Sequence, residues 1–259
     1  MIRNSALDKM RDGQLALGVL LRQARTVDIA GAMAACGYDW LFIDLEHGSM
    51  SLDVAAQICS AALAVGIAPI VRTPIMDIRM AAKAMDNGAL GVILPRIETV
   101  EQAKLVADSL RYPPMGHRSV IGTLPHFNFQ APPLSEAIQQ MDKANMLTLL
   151  VETPTAIANI DAIAAVDGID TLLIGSNDLT LEMGIHGQFT HPDFDAAVCK
   201  VLAVAQKYGR FVGLGGINDA AIVGKYVKLG VRMIAAGSDI QFMTSGAMQR
   251  AKTLRALQE

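Results

Sequence analysis

Eight short apolar runs, each followed by a stretch with helical spacing, restrict this sequence more than any other feature. They fall at 15–21 (LALGVLL), 40–46 (WLFIDLE), 68–73 (APIVRT), 91–97 (GVILPRI), 147–153 (LTLLVET), 171–177 (TLLIGSN), 211–217 (FVGLGGI) and 231–238 (VRMIAAGS). Most are continuously apolar rather than alternating, the pattern of parallel strands buried on both faces. Between them lie helix signals. Asp53 to Val65 is Ala-rich, with a leading acid and Gly66 after its end; Thr99 to Leu110 opens with an N-cap Thr; Pro154 to Val166 starts on a first-turn Pro. Residues 219–229 and 240–256 complete the set, and Glu136 to Ala144 reads as a short helix. Strand and helix repeated eight times in 259 residues predict an α/β chain folded as a (β/α)8 TIM barrel, a single domain over residues 1–259. A doubly wound sheet is the alternative.

One segment breaks the rhythm. Residues 111–135 (RYPPMGHRSVIGTLPHFNFQAPPLS) hold five of the ten prolines. A long excursion at this point is more often functional than decorative.

Composition excludes several classes. The formal charge is −3 and no Lys/Arg run exceeds two residues, so no nucleic-acid footprint is expected. The first residues, MIRNSALDKMRDGQ, lack the apolar core of a signal peptide, and no apolar run reaches the ~18 residues a membrane span needs. Cys36, Cys59 and Cys199 lie far apart in Ala/Val/Ile-rich stretches with no metal-ligand spacing, and read as buried thiols in a reducing compartment. A soluble cytoplasmic protein is expected. The positive mean hydropathy, +0.34, and the Ala-rich helices point to surface buried between subunits.

In such barrels the working groups lie at the C-terminal strand ends. Charge is scarce at 18%, yet it gathers there: Asp44, Glu46 and His47 after the second run, Arg72 in the third, Arg96 and Glu98 after the fourth, Glu152 in the fifth, and Ser176, Asn177 and Asp178 around the sixth. Glu152 and Asp178 come from consecutive strands, about 4.8 Å apart. Two carboxylates that close repel unless protonated or bridged by a cation, and a hard divalent ion with two protein oxygens keeps positions open for a substrate. Helix capping is the plainer role for both. Arg72 suits a carboxylate or enolate oxygen, or a salt bridge to Asp44 or Glu46. His47, among acids, suits a general base. None of the nine lysines stands at a C-terminal strand end, which disfavours a lysine-imine mechanism. The glycines of GLGGIND and AAGSD suit either a phosphate or tight turns. Ser119 has no nucleophile context.

The strings YDWLFIDLEHGSMS, PIVRTP, GALGVILPRIETVEQAK, RYPPMGHRSV and VETPTAIANIDAIAAVDGIDTLLIGSNDL resemble the HpcH/HpaI aldolase family of metal-dependent class II pyruvate aldolases, over residues 13–239. The resemblance implies a barrel of the phosphoenolpyruvate/pyruvate superfamily type. It implies a homohexamer, a trimer of dimers with an exchanged C-terminal helix. It implies Mg²⁺, Mn²⁺ or Co²⁺ on Glu152 and Asp178, and Arg72 on the pyruvate oxygens. His47 matches the base, and Asp86 the acid that partners it; only the resemblance picks out Asp86. Backbone N–H groups around Ser176 and Asn177 would face the pyruvate carboxylate. Leu214, on the strand-seven loop, is expected to border the aldehyde pocket. The implied reaction is reversible cleavage of a 4-hydroxy-2-oxo acid to pyruvate or hydroxypyruvate and an aldehyde, through an enolate. Citrate-lyase-like, acyl-CoA lyase or decarboxylating chemistry of the same superfamily is the alternative, as is a barrel kept only for binding.

Two departures bear on the polar shell: Leu150 stands where many members have Gln, and Gly175-Ser176-Asn177-Asp178 replaces a G-P-[AS]-D loop. Residues 122–130 (GTLPHFNFQ) are apolar and aromatic and are expected to shape the aldehyde pocket. Without a basic residue there, a small or neutral aldehyde is favoured over a dicarboxylate semialdehyde.

Overall fold

The computed structural model describes residues 2–258. Among these, eight parallel strands close into a barrel in sequence order, with the last pairing back to the first. They are β1 (Ala16–Leu21), β2 (Trp40–Asp44), β3 (Ala68–Arg72), β4 (Gly91–Leu94), β5 (Met146–Val151), β6 (Thr171–Gly175), β7 (Phe211–Gly215) and β8 (Met233–Ser238). The helices are α1 (Ser5–Arg11), α2 (Asp28–Ala35), α3 (Leu52–Val65), α4 (Ile78–Asp86), α5 (Val100–Leu110), α6 (Leu134–Ala144), α7 (Pro154–Ala164), α8 (Ser176–Glu182), α9 (Pro192–Tyr208), α10 (Ala220–Leu229) and α11 (Asp239–Arg255). All eight expected runs become strands, which the expected TIM barrel requires. Several runs extend past the strand itself: the fourth reaches 97, whereas β4 ends at Leu94.

Double-sided burial explains the continuous apolar runs, for every residue of β2, β3, β4 and β5 is buried. One apolar cluster fills the layer between strands and helices; another fills the barrel interior with Trp40, Phe42, Ile70, Leu150 and Leu173. Trp40 fits inside because position 18 on β1 is glycine: a Cβ there would lie 2.1 Å from the indole. The interior cluster includes Leu7 and Met10 of α1, which closes the barrel floor. Asn4 caps that helix and ties it down, its Nδ2 donating to the carbonyls of Leu90 (3.0 Å) and Ala144 (2.8 Å).

Local signals behave as expected at the helix ends. Thr99 forms a capping box with Gln102, and Gly66 ends α3 at φ 78°. α9 opens on Pro192 with Asp193 and Asp195 in its first turn and ends on Gly209 at φ 65°, whereas α2 has no side-chain cap at its N-terminus.

Three expectations need correction. Cys59 is buried, but Cys36 and Cys199 are exposed. Cys36 ends α2 and Cys199 lies on the outer side of α9, and local apolar composition does not tell which face of a helix a residue takes. The 111–135 excursion is ordered, but it packs at the floor: Tyr112, Leu124 and Met141 form a small core of their own, and the His126 ring nitrogen lies 3.1 Å from the Ala89 carbonyl just before β4. Residues 122–130 therefore do not reach the barrel mouth of their own chain. The physical reason is topological: the segment follows a helix, and chain leaving a helix of a parallel barrel emerges at the N-terminal strand ends. Leu214 is the third case. It sits within β7, 1% exposed, in the outer core layer, because alternation turns Gly213 and Gly215 inward and Leu214 outward. Among the described residues no helix is long and apolar enough to cross a membrane.

Candidate active site

A cavity of about 400 Å³ opens at the C-terminal mouth of the barrel. Its walls include His47, Arg72, Glu152, Ser176, Asn177 and Asp178, all six of them singled out from sequence. Arg22 also lines it and was missed, although it is the first polar residue after the first apolar run. Asp86 is elsewhere. It ends α4, whose C-terminus lies at the floor, and its Oδ1 accepts from Arg118 Nη2 at 2.8 Å.

Asp44 organises one side of the site. It is fully buried at the end of β2, directly opposite Arg72 in the β2–β3 register. Arg72 grips it with two bonds, Nε to Oδ1 (2.9 Å) and Nη2 to Oδ2 (2.7 Å). The turn after β2 adds the N–H groups of Glu46 (3.1 Å) and His47 (3.2 Å), both donating to Oδ1. Burial pushes the Asp44 carboxyl upward, but the Arg72 guanidinium and these N–H groups outweigh it and hold the group below its usual range. Arg72 Nη1 lies 3.2 Å from Glu46 Oε2, and its guanidinium carbon lies 5.1 Å above the Phe42 ring. The fork is thus fixed from several sides, as a group meant to meet charge at one point should be. His47 stands at the rim with its side chain 55% exposed and its Nε2 3.7 Å from Glu46 Oε2.

The opposite side is acidic. Glu152 follows β5 and is buried; its Oε1 accepts the Arg96 N–H at 2.9 Å. Arg96 takes φ 51° to aim that N–H, a conformation unusual for a residue with a side chain. Its guanidinium then reaches Glu182 Oε1 (2.6 Å) on α8, the helix whose first turn carries Asp178. Arg96 therefore fastens the elements holding both carboxylates. Gly175 allows the close approach, for a Cβ there would sit 3.0 Å from Glu152 Oε2.

Burial, with the like charges of Asp178 and Glu46, pushes the Glu152 carboxyl up to about 7 against the opposing Arg96 N–H and Arg72. Burial likewise raises Glu46. The buried Ser176 Oγ has no hydrogen-bond partner. A buried carboxylate penalised in this way at Glu152, with the Asp178 carboxylate lining the same cavity beside an unpartnered hydroxyl, fits a hard divalent cation taking oxygen ligands from both. Among the described residues no cluster of three or more His, Cys, Asp or Glu forms a closed metal cage. A two-carboxylate set leaves most of an octahedron to water and substrate.

A family described as HpcH/HpaI aldolase/citrate lyase matches residues 19–245. A 4-hydroxy-4-methyl-2-oxoglutarate aldolase of Hapsidospora irregularis is 32% identical, over 98% of this chain and 96% of that protein. A 4-hydroxy-2-oxovalerate aldolase of Novosphingobium aromaticivorans is 35% identical, over 94% and 92% respectively. The crystal structure of an HpcH/HpaI aldolase from Desulfitobacterium hafniense DCB-2 superposes with a TM-score of 0.91 at 27% identity, over 96% of each chain.

Proposed function

This chain belongs to the HpcH/HpaI aldolase/citrate lyase family, and from that premise we propose that it is a carbon–carbon lyase that reversibly cleaves a 4-hydroxy-2-oxo acid to a pyruvate-type acid and an aldehyde. The carrying observation is the pairing, across one cavity, of a pinned guanidinium at Arg72 with two carboxylates, Glu152, whose ionised form burial penalises, and Asp178. Glu152 and Asp178 would hold a divalent cation, Mg²⁺, Mn²⁺ or Co²⁺, which when bound would supply electrophilic stabilisation to the 2-oxo group.

The chain's own residues do the rest. Arg72 presents its fixed fork to the oxygen on which negative charge develops as the C3–C4 bond breaks; such a preorganised donor is typically worth about 3–4 kcal/mol. His47, open to the rim, removes the 4-hydroxyl proton. Ser176 and Asn177, in the open first turn of α8, direct N–H groups to the 2-oxo acid carboxylate. Asp86, at the floor of its own barrel, can partner His47 only from a second subunit. Assembly as a cytoplasmic homohexamer with exchange of α11 supplies such a neighbour. α11 supports this reading: it has no buried residue and exposes Met243, Met248 and Leu254.

Family membership does not choose the aldehyde or the donor. The two named relatives differ, by their names, in whether the substrate has a second carboxylate.

The test is pyruvate release from racemic 4-hydroxy-2-oxopentanoate by EDTA-stripped protein, before and after addition of Mn²⁺ or Mg²⁺. Cleavage should vanish on stripping and return with metal. Activity indifferent to EDTA overturns the metal assignment, and no cleavage in either state overturns the aldolase.

Metal uptake should also displace a proton. Glu152 is ordinarily ionised above 4.5 but here titrates near about 7. Calorimetric Mn²⁺ titrations in two buffers of different ionisation enthalpy should therefore show release of most of one proton at pH 6 and little at pH 8. Equal release at both pH values would contradict this.

A further inference from the structure

We propose that Arg22 recognises a second carboxylate on the aldehyde half of the substrate, so that the aldehyde released is an oxo acid and the substrate a 4-hydroxy-2-oxo diacid. The proposal rests on the aldolase reading above and gives its substrate class.

Arg22 is the first residue past β1, at the mouth of the barrel. Its backbone is fixed: the Asp239 carboxylate accepts the N–H groups of Arg22 (3.1 Å), Gln23 (2.8 Å) and Ala24 (2.7 Å). The side chain lies in the cavity, 40% exposed, and Nε donates to Asp44 Oδ2 at 3.2 Å. That single bond orients the guanidinium. Among the described residues neither Nη1 nor Nη2 has a protein partner. Arg72 differs sharply, since Nε, Nη1 and Nη2 all face Asp44 or Glu46. The cavity thus holds two guanidinium groups on one buried carboxylate: Arg72, whose three nitrogens each meet a protein carboxylate and which keeps only the second N–H of each Nη, and Arg22, whose Nη edge is open.

Neutralising Asp44 does not account for Arg22, because Arg72 already gives that carboxylate two shorter bonds and the turn adds two N–H groups. A planar fork held at its inner nitrogen with its outer edge toward solvent matches a ligand carboxylate in geometry and charge. With the 2-oxo acid end held at Glu152, Asp178 and the first turn of α8, the open edge of Arg22 at the end of β1 is left for the far acid. The lack of basic residues in 122–130 does not weigh against a diacid, because that loop lies at the floor.

The test uses full-length, Mn²⁺-loaded protein and two substrates that release the same 2-oxo acid: 4-hydroxy-2-oxopentanedioate, which leaves glyoxylate, and 4-hydroxy-2-oxopentanoate, which leaves acetaldehyde. The pyruvate methyl signal follows both by NMR. The wild type should favour the diacid in kcat/KM. Arg22→Leu should lower kcat/KM for the diacid by about 10- to 100-fold, mainly through KM, and bring the ratio toward one. Arg22→Lys, which keeps the charge but not the fork, should recover part of the preference and guards against misfolding as the cause. A wild-type ratio near one, or an Arg22→Leu loss equal for both substrates and carried by kcat, overturns the proposal and leaves Arg22 as a support for Asp44. Failure of the wild type on both substrates overturns instead the aldolase reading beneath it.

Discussion

Glu152→Gln should abolish cleavage and, in EDTA, make the protein more stable. The amide keeps the shape and can still accept the Arg96 N–H, but it gives a divalent ion one charged oxygen ligand fewer; a loss of at least ~10³-fold in kcat/KM follows if electrophilic stabilisation is removed. The stability gain follows from linkage. The Glu152 carboxyl sits at about 7 in the folded chain against 4.5 ordinarily, so the folded state holds a proton that the unfolded state has lost. The resulting penalty is absent below pH 4.5, grows as pH rises, and is complete above about 7. At about 1.4 kcal/mol per unit it reaches roughly 3 kcal/mol, or several degrees of Tm for a chain of this size. Melting curves in EDTA should show the variant above wild type at pH 8 and level with it at pH 4.5. A variant less stable than wild type at pH 8 would contradict the raised carboxyl.

Arg72→Met should act in the opposite direction on stability. It leaves Asp44 fully buried with only the exposed Arg22 to answer its charge, and removes the cation beside Glu46. Breaking a buried pair from one side typically costs about 3–5 kcal/mol. Activity should fall ~10²- to 10³-fold, the effect of losing one preorganised donor at a developing oxyanion. Arg72→Lys keeps the charge but not the fork, and should restore more stability than activity. Denaturant midpoints beside kcat check both parts; a lysine variant recovered equally in both would show that fork geometry at Arg72 does not matter.

The barrel was legible because its strands are buried on both faces: WLFID and MLTLLV have no polar face to disguise them. The same property hides parity. In FVGLG nothing distinguishes the residues facing the barrel axis from those facing helices, so Leu214 was expected at a pocket from which it points away. His47, Arg72, Glu152, Ser176, Asn177 and Asp178 were found from strand ends because a parallel barrel gathers those ends at one mouth. Arg22 obeys that rule too, as the first polar residue past β1. Asp86 ends a helix and residues 122–130 follow one, and connectivity alone places them at the floor. The strand-end rule has no purchase on Asp86, whose proposed role calls for another subunit. Arg96 shows a further limit, since its contribution to Glu152 comes from a backbone N–H set by φ 51°, and no side-chain pattern encodes it.

The floor helix bears on the order in which the molecule is made. α1 leaves the ribosome before every strand of the barrel, yet the carbonyls that receive Asn4 belong to Leu90 and Ala144, and the interior cluster that covers Leu7 and Met10 extends to Met233. This helix therefore waits for the strands that follow it before it can dock. Its apolar side stays uncovered through that interval, an invitation to chaperones and a reason for nascent chains stalled before residue 144 to aggregate.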